Sequence, residues 1–189
     1  MSPEKSPVSI SDIQIRACAP ADAAVLSDLA KRCFKDTFTG TCTEEDMEDF
    51  LETYYNEARL EQELKQSDEC TFFAEIEGKP IAYLRICEGV PPFPAPADVR
   101  PLELSRLYVD LPFKGTGVAK QLMQYYMDYG QANGYNYLWL GVWEYNYRAQ
   151  AFYKKYGFRF NGNKHPFPIG QTPQTDEWWD LRIDEQNAG

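Results

Sequence analysis

The chain has 189 residues, 43% of them hydrophobic and 25% charged, which is the composition of a folded globular protein and excludes a disordered one. Its net charge of −10 argues against nucleic acid and anionic membrane surfaces, both of which are bound through Lys and Arg. A small cationic molecule or a basic peptide is the natural partner, although bulk acidity alone usually serves solubility.

At this length one domain is expected, able to bury about 70% of its unfolded surface. Residues 1–11 are polar and read as a flexible arm, 12–184 as the domain and 185–189 as a tail. No run approaches the roughly 18 apolar residues of a membrane span, and the N-terminus lacks an apolar signal core. Cys18, Cys33, Cys42, Cys70 and Cys87 are odd in number and form no C-x-x-C pair. With one histidine in the chain, no metal site is expected, and the thiols read as reduced, small hydrophobes in a cytoplasmic protein.

In chain order, Ile13, Ile15 and Ala17 alternate with polar residues as a short strand. Ala19-Pro20 opens a helix carrying Val25, Leu26, Leu29 and Phe34. Thr43 is a good N-cap for a second helix to about Asn56, with a further helical piece to about Gln66. Cys70–Ile76 and Ile81–Cys87 flank the turn Glu77-Gly78-Lys79-Pro80 as a hairpin. The proline-rich stretch from Val90 to Pro96 must be an extended loop. Leu102–Asp110 is a strand. A glycine-bearing turn at Lys114–Gly117 leads to a helix from about Val118 to Asn133. Tyr137–Val142 reads as a strand buried on both faces. Asn146–Tyr156 is a helix stopped by Gly157, and strands follow from Phe158 and over Trp178–Ile183. The order β-α-α-β-β-β-α-β-α-β-β predicts one α/β domain with a mixed sheet.

Lys114-Gly115-Thr116-Gly117-Val118-Ala119 sits between a strand and a helix. Glycines there allow a tight turn that aims several N–H groups at one place, and the helix N-terminus adds partial positive charge. An anion site and a plain strand-to-helix turn both fit. Neither a dinucleotide fingerprint, which needs glycine where Lys120 stands, nor a Walker loop matches. Downstream lie Leu140-x-Val142-x-x-x-Asn146 and Ala151-Phe152-Tyr153-x-x-x-Gly157-Phe158. Taken alone, these are an aromatic helix packing on a sheet.

The joint spacing of these motifs resembles the GNAT superfamily of acetyl-CoA-dependent N-acetyltransferases, over nearly the whole chain. Lys114 stands where that family has Gln or Arg. The resemblance implies a twisted mixed sheet of six or seven strands with helices on both faces, and a cleft where a bulged strand splays from its neighbour. It implies that the backbone of Leu107, Tyr108 and Val109 pairs with the pantetheine arm. The N–H groups from Gly115 through Thr116, Gly117 and Val118 to Ala119 would hold the pyrophosphate, flanked by Lys114 and Lys120. Asn146 would bond the pantetheine amide, and Tyr153 would stand near the sulfur as the acid that protonates the leaving thiolate.

Two candidates stand for the base. Glu103 shares a strand with Ser105, and alternation puts both on one face with Leu104 and Arg106 on the other. Glu103 could draw a proton through water, or be an ordinary salt-bridged carboxylate. His165, in the connection from Asn161 to Pro173, could reach the acceptor site or be incidental.

Charge placement bears on the acceptor. Residues 41–63 hold nine of the acidic residues and one basic one, Arg59. Glu44, Glu48 and Glu52 make one negative helix face, either a solvated surface or a binding face for a cationic amine. A closer likeness joins Leu102–Val109, Trp139–Asn146, His165-Pro166-Phe167-x-x-Gly170 and Gln174-Thr175-Asp176. These resemble the PaiA-type spermidine/spermine acetyltransferases, although that group tends to carry glutamate where this chain has Ser105. The likeness implies a polyamine acceptor. A protein or peptide amine, and a module that holds acyl-CoA without turnover, are the alternatives. A monomer and a homodimer both fit.

Overall fold

The computed structural model describes residues 12–183; the arm expected over 1–11 and the tail over 185–189 lie outside that range. The strands are β1 Gln14–Ala17, β2 Glu69–Ile76, β3 Lys79–Glu88, β4 Pro101–Val109, β5 Tyr137–Trp143, β6 Arg159–Pro166 and β7 Thr175–Arg182. The α-helices are α1 Ala23–Phe38, α2 Glu44–Tyr54, α3 Glu57–Glu63, α4 Val118–Ala132 and α5 Tyr147–Lys155. The strands form one seven-stranded sheet in the order β1-β2-β3-β4-β5-β7-β6. The β4–β5 pair is parallel and the others are antiparallel, so the expected mixed α/β architecture is observed.

Local chemistry sets the helix starts. Ala19-Pro20 opens a single 3-10 turn, and α1 begins only at Ala23. Thr43 caps α2 as expected, its hydroxyl accepting from Asp46 N at 3.1 Å. Asn56 caps α3, accepting from Arg59 N at 2.9 Å. The last helical piece stops at Glu63, short of Gln66.

The sheet divides the interior in two. On one face Val118, Leu122, Met123 and Tyr126 of α4 pack on Leu84, Leu102, Leu104 and Leu138. On the other, Leu29, Phe34, Phe50 and Leu60 of α1–α3 pack on Phe73 and Tyr83. Beside them the proline-rich loop delivers Phe93 onto Tyr137, Trp139 and Trp178, so that loop is extended but anchored.

Two strands differ from expectation. β6 runs to Pro166 and β7 starts at Thr175, so His165 lies on a strand rather than in a long connection. The segment is a polar edge strand, half exposed in alternation. It lacks the apolar pattern by which strands are read from sequence.

β4 carries a bulge. Arg85 pairs with Arg106 but Ile86 pairs with Leu104, leaving Ser105 as the extra residue. The bulge shifts the alternation by one. Leu102 and Leu104 face α4 before it, and Leu107 and Val109 face α4 after it. Arg106 therefore joins Glu103 and Ser105 on the α1–α3 side, instead of joining Leu104. The β4–β5 ladder ends at Leu104–Leu140. Beyond it the two strands separate into a V.

Candidate active site

The V is bounded by Leu107, Tyr108 and Val109 on β4 and by Gly141, Val142 and Trp143 on β5. The β4 residues pair with β3 on one side and lack ladder partners toward β5. The N–H and C=O groups of Leu107 and Val109, which alternate with those bonded to β3, can serve an extended amide chain as an added strand would.

At the wide end of the V lies the glycine turn. Gly115 and Gly117 have φ of 85° and 98°, conformations that cost a side-chain-bearing residue about 1–2 kcal/mol. Gly117 is the N-cap of α4 and supplies no capping side chain. The first N–H groups of the helix, at Val118, Ala119 and Lys120, thus lack an intrahelical acceptor. A Cβ built on Gly115 would meet nothing within 4 Å, so the turn faces open space. These features fit a pyrophosphate. Lys114 is tied to Asp36 of α1 by a short ion pair, so much of its charge is already neutralised. Lys120 is exposed.

Asn146 caps α5, its Oδ1 accepting from Ala149 N at 3.1 Å. Its Nδ2 is the atom left to donate to a ligand. Tyr153, two turns further along α5, is 9% exposed and packs between Phe152 and Phe158 at 5.6 and 6.1 Å. Burial, and then the charge of Asp176, push its phenol well above the ordinary range.

The α1–α3 side of β4 is charged. Glu63 of α3 accepts from Arg106 Nη1 at 2.7 Å and lies 3.6 Å from Arg85 Nε. Arg85 also bonds Glu69 and donates to Ser105 Oγ at 3.2 Å. Glu103 lies among these groups, and burial pushes its carboxyl up to about 7 against the pull of Arg85. His165 stacks on Trp178 with ring centroids 4.1 Å apart, and burial lowers its pKa.

The structure brings Tyr153, Asn146, the β4 edge and the glycine turn around one V. Glu44, Glu48 and Glu52 lie apart from it. All three are exposed, and Glu52 pairs with Lys31 at 2.7 Å. Glu48 and Glu52 line an open groove of about 550 Å³ together with Lys31, Arg32 and Lys35 of α1. That stripe is balanced by cations and shares no lining residue with the V.

The sequence profile of the Acetyltransferase (GNAT) family matches residues 27–158. The chain belongs to the GNAT acetyltransferases. It is 33% identical over 149 residues to an uncharacterized N-acetyltransferase of Lactobacillus delbrueckii subsp. lactis, covering 78% of this chain and 84% of that one. It is 30% identical over 155 residues to an uncharacterized N-acetyltransferase of Mycobacterium tuberculosis, covering 82% and 94%. Among solved structures, the PaiA N-acetyltransferase of Thermoplasma acidophilum in complex with coenzyme A superposes with a TM-score of 0.73 at 20% identity, over 90% of this chain and 99% of that one. A GCN5-related N-acetyltransferase of Rhodopseudomonas palustris superposes at 0.70 and 19% identity, over 93% and 99%. As a GNAT enzyme the chain is an acetyl-CoA-dependent N-acetyltransferase, and its V and glycine turn fit that donor. Among the described residues no helix is long and apolar enough to cross a membrane.

Gly117→Ala tests the turn. The loop should relax from its left-handed conformation and misalign its N–H groups, at a cost of about 1 kcal/mol. Acetyl-CoA affinity is expected to fall about fivefold by titration calorimetry. An unchanged Kd would remove the turn from the donor site.

Proposed function

We propose that this enzyme acetylates a primary amine of a polyamine such as spermidine or spermine. The observation that carries this reading is a pair of carboxyl groups, Glu103 and Asp176, on the sheet face away from α4, both pushed up to about 7 by burial. A ligand with several ammonium groups supplies the charge that burial denies them. A monoamine supplies only part of it. The PaiA neighbour is consistent with this reading but supports only the fold.

In this reading the stretch Leu107, Tyr108 and Val109 holds the donor's amide arm, through the backbone hydrogen bonds of Leu107 and Val109, and the Gly115–Ala119 turn holds its diphosphate, with Lys114 and Lys120 at its rim. Asn146 Nδ2 donates to an amide carbonyl. The N–H of Val109 donates to the oxygen that gains charge as the amine attacks. Tyr153 protonates the departing sulfur. Glu103 and His165 are the proton acceptors the sequence offers. Ser105 borders the acceptor, and the stripe of Glu44, Glu48 and Glu52, balanced by the cations of α1, is left out of this reading. The free cysteines are consistent with a cytoplasmic setting.

The test is thiol release from acetyl-CoA with spermidine, spermine, monoamines and short peptides as acceptors. Polyamines are expected to give the highest kcat/KM. A preference for peptides or monoamines would overturn the polyamine reading.

A further inference from the structure

We propose that Asp176, on β7, receives the acceptor's ammonium group and takes its proton, which places the base across β5 from the strand that carries Glu103. The proposal rests on the N-acetyltransferase reading but not on the acceptor being a polyamine.

Position comes first. Gly141 is the first residue of β5 beyond its last rung with β4. Asp176 Oδ2 lies 3.4 Å from where a Gly141 Cβ would stand. The carboxylate therefore lies beside the point where the V opens, and the same bare position admits the Trp178 ring, which a Cβ at 141 would meet at 2.9 Å. Its ladder partner on β5 is Trp143 and on β6 is His165.

Unmet hydrogen bonds come second. Asp176 Oδ1 is buried without a partner among the described residues, as are Trp139 Nε1 and His165 Nδ1. Trp139 is 4% exposed. Folded proteins rarely leave buried polar atoms unpaired, and the three side chains border Trp178, whose ring lies 5.4 Å from Trp139 and 4.1 Å from His165. A donor-rich cation meets the carboxylate's demand, and aromatic faces add attraction for an ammonium.

The surrounding charges agree. Burial, and then the negative charge of Glu144, raise Asp176 to about 7. The titratable groups around it are Glu144, His165, Tyr108 and Tyr153, and its charge raises both tyrosines. Lys164, the nearby cation on β6, is engaged with Glu144 at 3.0 Å and Glu177 at 3.2 Å. Glu103 is placed differently. It pairs with Trp139 inside the closed part of the ladder, about 7 Å along the sheet from Gly141. Arg85 and Arg106 already draw its charge.

The step balances. Asp176 takes one proton from the ammonium, and the freed lone pair forms the C–N bond to the acetyl carbon as the C–S bond breaks. Tyr153 gives its phenolic proton to the sulfur and recovers one from the new amide nitrogen. Asp176 then releases its proton to solvent. The products are the amide, the free thiol and one proton.

The test is Asp176→Asn, assayed with whichever amine of the panel the wild type uses best. A rejected polyamine thus defeats the substrate reading alone. The kcat/KM for the amine is expected to fall at least about 10²-fold. The rise of kcat/KM through pH 7 should disappear, while acetyl-CoA affinity by calorimetry stays within twofold. In Glu103→Gln the rise should remain. In the wild type, the Asp176 carboxyl carbon, assigned by its loss in the Asn variant, should titrate near 7 by ¹³C NMR, and lower when the amine is added. Retention of the pH rise in Asp176→Asn, its loss in Glu103→Gln, or a carboxyl titration unmoved by the amine would each overturn the proposal. So would a chain that acetylates no amine in the panel.

Discussion

Replacing Tyr153 by Phe is expected to lower kcat by about 10²- to 10⁴-fold, the range for loss of a general acid. Only an oxygen is removed. The ring keeps its place between Phe152 and Phe158, so the fold and acetyl-CoA affinity should be preserved. Burial and the charge of Asp176 raise the phenol far above neutrality, which keeps it protonated across the working pH range and ready to donate. Steady-state thiol release, with titration calorimetry for acetyl-CoA, separates the two effects. A kcat within threefold of wild type would remove Tyr153 from the proton transfer.

The largest loss of stability is expected from Glu63→Gln. Glu63 is 13% exposed and meets Arg106, 14% exposed, at 2.7 Å and Arg85, 11% exposed, at 3.6 Å. Arg59 adds a third guanidinium at 3.3 Å. Removing the carboxylate leaves Arg106 without its carboxylate partner and Arg85 with Glu69 alone, a change that costs about 3 kcal/mol. For a chain of this size that is about 6–12 °C in melting temperature, measurable by differential scanning calorimetry at pH 7. Burial alone would raise the Glu63 pKa, but the guanidiniums, Arg106 foremost, hold it below its ordinary value. Its stabilisation is therefore present above the unfolded value of about 4.3 and is lost as pH falls through the lower folded value. The gap between wild type and variant should close on acidification below pH 4. A gap constant with pH, or a shift under 2 °C, would show that the network contributes little.

The elements with a clear period were legible from the residues. The β2–β3 hairpin, the buried β5 and the Thr43 cap stand where apolar spacing and turn chemistry put them. The glycine turn and Tyr153 were legible only jointly, because each alone also reads as ordinary packing. Other features depend on contacts that spacing cannot express. The bulge at Ser105 inserts one residue into an otherwise regular alternation, which hides Arg106 on the wrong face. The link from Glu63 to Arg106 spans 43 positions. Asn146 was read for a ligand, yet its side chain first caps α5. Asp176 had a faint signal, a carboxylate two residues before Trp178-Trp179. A last strand begun at Trp178 left it outside the sheet.

The V also gives the sheet an interior edge. Exposed edges invite strands from other proteins, and natural sheets defend them with lysines, prolines or charges pointing inward. Leu107, Tyr108 and Val109 carry none of these. Their defence is depth, since α4 covers one flank, α1–α3 the other, and β5 closes the far side a few residues on. A second protein's strand would bring side chains against both covered flanks. A slender amide chain brings far less bulk. The same recess that spares the molecule from edge-to-edge association therefore favours a thread over a polypeptide.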